Sequence, residues 1–303
     1  MAVFVNTNVS SLNAQRQMQK SGSTLDTAFQ RLSSGLRINS AKDDAAGMQI
    51  ASRLSGQING LTQGNRNAND GISLAQTAEG SLDEMSTMYQ RIRTLASQAS
   101  NGSNTTQDRA ALQLEARELG EEINRIASDT TFGGSNLLDG SYSTEFQVGA
   151  DANQVISMSM TGISASSGGV ISTNSFAVSD LALAASSVTG TGAGAANAFA
   201  NASSLSFTSV AEAQDVLAAV DAMVGTIDGK RAELGAVQNR FASTIRNQTN
   251  VIENVSAARS RIQDADFAAE TANLTKAQIL QQASVSILGQ ANQRPQSALS
   301  LLG

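Results

Sequence analysis

Apolar residues recur along most of this chain at intervals of three and four. In the C-terminal half, alternate steps of four and three from Ala213 pass through Leu217, Val220, Val224, Ile227, Leu234, Phe241, Ile245, Ile252, Val255 and Ile262. Only Arg231, Gln238, Gln248 and Arg259 break the series. A stripe of period about 3.5 held this long, opened by a Ser209-x-x-Glu212 capping box and free of proline, predicts one long coiled-coil helix. Its four polar breaks can fix the register against a partner.

The N-terminal half mirrors the pattern. Leu54, Leu61, Ala68, Ala75, Leu82, Tyr89 and Ala96 are spaced by sevens, with Ile58 and Ile72 on the adjoining seam. A helix from Asp44 to Ser100 would reach about 85 Å. After an Asn101-Gly102-Ser103-Asn104 turn, Leu112, Ala116, Leu119, Ile123 and Ile126 predict a third, shorter helix. Two weaker stripes lie at the ends: Met18, Gly22, Leu25, Phe29, Leu32, Leu36, and Leu274, Ala277, Leu280, Ala283, Ile287, Ala291.

Each terminal stripe sits beyond a break. The first stops at Gly35 and restarts at a Ser40-x-x-Asp43 signal; in the second, Asp264 and Asp266 can cap a new helix with Glu270 in its first turn. Folded at its middle, the chain lays long helix on long helix, break on break and end on end, so each break reads as a joint between domains. Alternation in Ser143–Val148 and Gln154–Met160 around Ala150-Asp151-Ala152-Asn153 predicts a β-hairpin.

The fold class is therefore mainly α: long antiparallel coiled-coil rods, with a terminal helix pair, a three-helix outer domain and a small hairpin. Residues 1–40 with 264–303 form the terminal coiled coil, 41–160 with 207–263 the helical rod, and 161–206 a Gly/Ser/Ala/Thr-rich surface segment.

Composition narrows what such rods can do. The 303-residue chain has a formal charge of -6, no Cys, no His, no Trp and one Pro. The acidic balance argues against nucleic acid. There is no apolar run of about 18 residues, which argues against membrane insertion, and no basic stretch followed by an apolar core, which argues against a cleavable signal. Lacking His and Cys, the chain lacks the easiest proton carrier near neutral pH, the thiolate nucleophile and soft metal ligands. No enzyme, no cofactor and no metal is expected. Because carboxylates, Lys, Ser and Tyr remain, an enzyme hidden in the central segment is the competing class. Asp43 beside Asp44 weighs more as a helix start than as a paired-carboxylate site. Met48, Met85 and Met88 read as gap-filling core rather than thioether ligands.

The ends carry the functional argument. A narrow two-stripe pair cannot fully bury Leu25, Phe29, Leu32, Leu36, Leu274, Leu280, Ile287, Leu301 and Leu302, so the expectation is a polymerisation core that is disordered alone and ordered when other copies cover it. Two such ends have no evident way to close a small ring, and head-to-tail contacts that do not close give filaments.

Several segments are specific: VNTNVSSLNAQR at Val5–Arg16, RLSSGLRINSAKDDAAG at Arg31–Gly47, NDGISLAQTAEGSLDEM at Asn69–Met85, QRIRTLASQ at Gln90–Gln98, FGGSNLLDG at Phe132–Gly140, FQVGADANQ at Phe146–Gln154, and the closing SILGQANQRPQSALSLLG. In this order they resemble bacterial flagellin, over roughly residues 1–160 and 207–303. The resemblance implies a secreted, extracellular subunit of the flagellar filament, with both termini in the inner tube and the central segment facing solvent. It implies export, unfolded, through the flagellum's own channel, a dedicated export chaperone on the C-terminal stripe, and flagellar cap and hook-associated proteins as partners. It also implies a surface read by an animal Toll-like innate receptor, formed by Gln90, Arg91, Leu95, Gln98 and Glu115. Thr94, where an acidic residue is common, and Leu119, where a basic one is often found, depart from the strongly recognised pattern. A hook–filament junction protein with similar ends is the alternative.

Overall fold

A computed structural model describes residues 8–161, 176–179, 181 and 205–300, with side chains up to residue 293. Within these residues are five helices, α1 (Val9–Ser34), α2 (Ala45–Ala99), α3 (Thr106–Asp129), α4 (Val210–Gln263) and α5 (Phe267–Ser300). Four strands accompany them: β1 (Thr131–Phe132), β2 (Ser135–Asn136), β3 (Ser143–Gln147) and β4 (Val155–Ser159). The fold is mainly α with a small antiparallel hairpin, as the spacing predicts. Leu301, Leu302 and most of 161–206 lie outside the described residues.

The chain divides into two compact units, one from Met1–Asn59 and Val251–Gly303, the other from Gly60–Asn250. The divisions fall inside α2 and α4, which supply residues to both units, and not at the two breaks in the terminal stripes.

The second unit has one continuous core. From α2 it takes the residues spaced by sevens, Ala68, Ala75, Leu82, Tyr89 and Ala96, all fully buried. Ala213, Val220, Ile227, Leu234 and Phe241 repeat that interval on α4. A second buried line on α4, through Val216, Ala219, Met223, Thr226, Lys230 and Val237, was not part of the predicted stripe. A helix with more than one packing neighbour buries a wider arc than the narrow seam of a two-stranded coiled coil. On α3 the buried positions are Ala116, Gly120, Ile123 and Ala127. The helix begins at a capping box in which Thr105 and Asp108 exchange hydrogen bonds, and these hold the Asp108 carboxyl below its usual range.

The polar breaks in the α4 stripe are paired. Arg231 meets Asp83 at 2.9 Å, Gln238 donates to Glu79 at 2.8 Å, and Gln248 donates to the Val148 carbonyl at 2.5 Å. Arg93 also pairs with Asp221. Along α2 the partners rise from 79 to 83 to 93 while along α4 they fall from 238 to 231 to 221, which is an antiparallel register. In the first unit Arg259 donates to the Ser55 hydroxyl at 3.2 Å.

Strands β3 and β4 pair with Phe146 opposite Ile156 and Thr144 opposite Met158. Ile156 and Met158 face the core, and the Phe146 ring meets Phe241 edge-on at 5.5 Å. The hairpin backbone lies close against α2: Asn67 donates to the Gln147 carbonyl at 2.8 Å, and a Cβ on Gly64 would fall 1.9 Å from the Val148 carbonyl oxygen. Sequence spacing missed the two-residue ladder of β1 and β2, which pairs Phe132 with Ser135 across Gly133 and Gly134, at φ 59° and 86°. That tight turn is followed by Leu137 and Leu138, both fully buried.

Candidate assembly surface

In the first unit α1 and α5 run antiparallel and are pinned at both ends. Asn8 caps α1, accepting from the Ser11 N–H at 3.2 Å and donating to the Ala291 carbonyl at 2.7 Å. At the other end Gly35, in the left-handed region at φ 72°, ends α1 by donating its N–H to the Arg31 carbonyl at 2.9 Å. Its own carbonyl accepts from the Ala265 N–H at 2.9 Å, Leu36 bridges Asp264, and Arg37 donates its N–H to the Gln263 carbonyl at 2.7 Å. The two breaks read from the sequence are thus joined backbone to backbone.

The seam is made of small side chains, closed at the joint by the buried Glu270, which meets Arg31 of α1 at 3.9 Å. Ala14, Ser21 and Ala28 are buried on α1, and Ala277, Ser284 and Ala291 on α5, each set spaced by sevens. Small residues let two helices approach closely but bury little apolar area. The leucine stripes lie beside this line. Leu25, Leu32, Leu36 and Leu274 are half-buried, while Phe29 is 66% exposed, Leu280 38% and Ile287 55%. One helix pair offers one line of contact, and the small residues occupy it.

The uncovered apolar surface is therefore concentrated. Of the eleven large hydrophobic residues that are exposed among the described ones, nine belong to the first unit: Val9, Leu12, Phe29, Ile50, Phe267, Ile279, Leu280, Val285 and Ile287. Scattered single apolar residues are ordinary on protein surfaces, but eight of these nine lie on α1 and α5, and such a concentration on one helix pair marks an interaction surface.

The residues read as joint caps divide by role. Asp43 accepts from the Asn39 and Ser40 N–H groups at 3.2 and 2.9 Å and from the Ser40 hydroxyl at 3.0 Å. Those Ser40 bonds hold its carboxyl below the usual range. The Ser40–Asp43 pair shapes the turn, and α2 starts just after it, where Asp44 accepts from the Gly47 N–H at 2.9 Å. Asp266 caps α5, accepting from the Ala268 and Ala269 N–H groups at 2.8 and 3.2 Å. Asp264 takes part through its backbone, donating to the Ser260 carbonyl at 2.9 Å and bridging Leu36.

In the second unit Gln90, Arg91 and Gln98 are exposed on α2 and Glu115 on α3. Arg91 donates from Nε and a terminal nitrogen to one Glu115 oxygen at 2.8 and 2.6 Å. Leu95 differs from the expectation. It is 1% exposed, on the α2 face that also buries Ile92, Ala96 and Ala99, so it supports this surface from below and presents none of it. Among the described residues no cluster of acidic side chains could hold a metal ion, and no helix is long and apolar enough to cross a membrane.

Long paired helices, one unit with a closed core and one with its large apolar side chains uncovered, define a structural protein built to assemble. Comparison with known sequences agrees. The family model for the bacterial flagellin N-terminal helical region matches residues 5–143, and that for the C-terminal helical region matches 217–302. Flagellin D of Vibrio anguillarum is 40% identical over 377 aligned positions, with all of both chains covered. Flagellin B of Vibrio cholerae is 40% identical over 376, again covering both completely. A solved structure from Vibrio parahaemolyticus, described as a flagellar hook-associated protein, aligns with 73% of this chain and all of its own at a TM-score of 0.56 and 16% identity, a likeness of fold alone. The chain belongs to the bacterial flagellin family. It is a structural subunit of the helical flagellar filament, and the hook–filament junction alternative is not favoured.

Proposed function

We propose that the α1–α5 unit is the polymerisation core and that neighbouring copies complete it. The observation that carries this reading is the concentration of exposed apolar side chains on that unit. Leu25, Phe29, Leu32, Leu36, Leu274, Leu280 and Ile287 become intersubunit core, with Leu301 and Leu302 continuing the C-terminal stripe. Ser40, Asp43, Asp264 and Asp266 hold the breaks at which these helices begin and end. The function is mechanical, not catalytic. Seeded polymerisation of the full chain tests the reading: long filaments are expected, whereas short capped stubs would favour a junction role.

The same uncovered helices suit the route to the filament. The subunit leaves the cell unfolded through the flagellar channel, with an export chaperone covering α5 until release, and is added at the tip under the cap protein, beyond the hook-associated proteins. Support comes from the family's extracellular filaments and from the open face of α5.

The exposed group of Gln90, Arg91, Gln98 and Glu115 is the proposed contact for an animal Toll-like receptor, with Leu95 beneath it. Replacing Arg91 with Ala should lower signalling in a reporter cell by about tenfold or more, because arginine forks at interface centres contribute strongly. Polymerisation should be unchanged, since an exposed ion pair contributes about 0–1 kcal/mol to stability. Unaltered signalling would remove the receptor assignment.

A further inference from the structure

The chain contains two Asn-Gly pairs, Asn59-Gly60 and Asn101-Gly102. Glycine carries no Cβ to hinder the turn of its backbone nitrogen toward the preceding side chain, so both pairs start with the same chemistry. The fold separates them. Gly60 lies inside α2, where its N–H is held in the helical ladder, and it faces the hairpin so closely that a Cβ there would fall 2.9 Å from that of Ala150. Its nitrogen reaches the Asn59 side chain only if the helix opens.

Asn101-Gly102 lies in the turn between α2 and α3, just past the end of α2 at Ala99. Both residues are exposed, and a Cβ on Gly102 would meet nothing within 4 Å. The turn uses the Asn101 N–H, which donates to the Gln98 carbonyl, and the Asn101 carbonyl, which accepts from the Asn104 N–H, both at 3.2 Å. It leaves the Gly102 N–H without an acceptor among the described residues. By contrast, the amides that follow Asn39, Asn104 and Asn136 donate to Asp43, Asp108 and Thr130. The Asn101 side-chain carbonyl accepts from the Ser103 N–H at 3.3 Å, a donor that polarises Cγ and stabilises negative charge developing on Oδ1.

We propose that Asn101-Gly102 is a self-modifying site, at which water converts Asn101 to aspartate and isoaspartate. The Gly102 nitrogen loses its proton to hydroxide and attacks Cγ of Asn101. The side-chain nitrogen leaves as ammonia, and a five-membered succinimide closes. Water then adds to one of the two ring carbonyls, giving aspartate when the ring nitrogen leaves Cγ and isoaspartate when it leaves the main-chain carbon. The net change is water in, ammonia out and one carboxylate gained, which takes the formal charge from -6 to -7. The new charge sits past the C-terminal end of α2, where the helix dipole disfavours it, and Arg109, which donates to the Ala99 and Asn101 carbonyls at 3.1 and 3.4 Å, offsets it. Loss of ammonia makes the change one-way, so its extent records the age of a chain.

Incubating the full chain in heavy-oxygen water, native and in denaturant, and reading its peptides by mass spectrometry tests the site. In denaturant Asn59 and Asn101 should take up heavy oxygen at similar rates. In the native chain Asn101 should convert at least about tenfold faster than Asn59, because attack at Asn59 waits on local opening of the helix. Raising the pH should speed the native conversion at Asn101, since the attacking nitrogen must first lose its proton. The native chain should also gain a more acidic form on anion exchange, and Asn101→Gln, whose longer side chain would have to close a six-membered ring, should lack it. A native chain in which Asn101 keeps its amide, equal native rates at Asn59 and Asn101, or an acidic form that accumulates undiminished in Asn101→Gln would overturn the proposal.

Discussion

Removing α5, from Phe267 to the end, is expected to leave a soluble, folded second unit that cannot polymerise. The core of that unit runs from Ala68 to Phe241, and none of its buried residues comes from α5. Its hairpin, its inter-helix ion pairs and the Thr105 and Ser209 capping boxes also lie within it. What the truncation removes is the partner of α1. Ala14, Ser21 and Ala28 lose their counterparts Ala277, Ser284 and Ala291, and α1 is left without the packing from which most helical stability in proteins comes. Filament mass in seeded assays should fall to background, and the helical signal that the full chain gains on polymerisation, matching α1 and α5 together, should be absent. Normal filaments in the electron microscope would contradict the assembly role given to these helices.

The second large effect is expected at Gly64. A Cβ there would lie 1.9 Å from the Val148 carbonyl oxygen and 2.6 Å from its carbon. The obstacle is backbone, so no rotamer relieves it, and accommodating alanine means lifting the hairpin from α2. That movement strains the Asn67 bond to Gln147, the Gln248 bond to Val148 and the Phe146–Phe241 ring contact. Gly64→Ala should cost about 3 kcal/mol and lower the thermal midpoint of the second unit by roughly 6–12 °C. Gly80 on the same helix provides the control, because a Cβ there would meet nothing within 4 Å. Gly80→Ala should stabilise by about 0.5–1 kcal/mol through helix propensity alone. Equal melting of the two variants, read by circular dichroism, would refute the close backbone approach.

How far the sequence disclosed this fold depended on whether one helix face or several were in use. On α2 the sevens through Ala68, Ala75, Leu82, Tyr89 and Ala96 identified one buried line directly, while Leu74, Ala78, Met85, Ile92 and Leu95 are buried off it because the helix also faces α3 and the hairpin. Where α4 had several neighbours, Val216, Met223 and Val237 were buried off the expected stripe. In the terminal pair the larger side chains drew attention to Leu25, Phe29 and Leu32, yet the contact line belongs to Ala14, Ser21 and Ala28. Small residues give a weak hydrophobic signal even when they are the most buried, so spacing by sevens of Ala and Ser was the available clue. Leu95 shows the opposite error. Its place in the QRIRTLASQ segment suggested a surface role, but the helix period sets it beside Ile92 and Ala96 in the core. The Ser209 and Glu212 box, read from four residues, formed as expected, with the Glu212 N–H on the Ser209 hydroxyl at 3.2 Å.

The central claim is that α1 and α5 are completed by other copies, while the second unit is complete by itself. Amide hydrogen exchange on dilute monomer and on filament tests it most directly. In monomer the amides of α1 and α5 should exchange quickly while Ala68 to Ala96 and Ala213 to Phe241 stay protected, and in filament the terminal helices should become protected too. Strong protection of both terminal helices in dilute monomer, unchanged on polymerisation, would contradict the account.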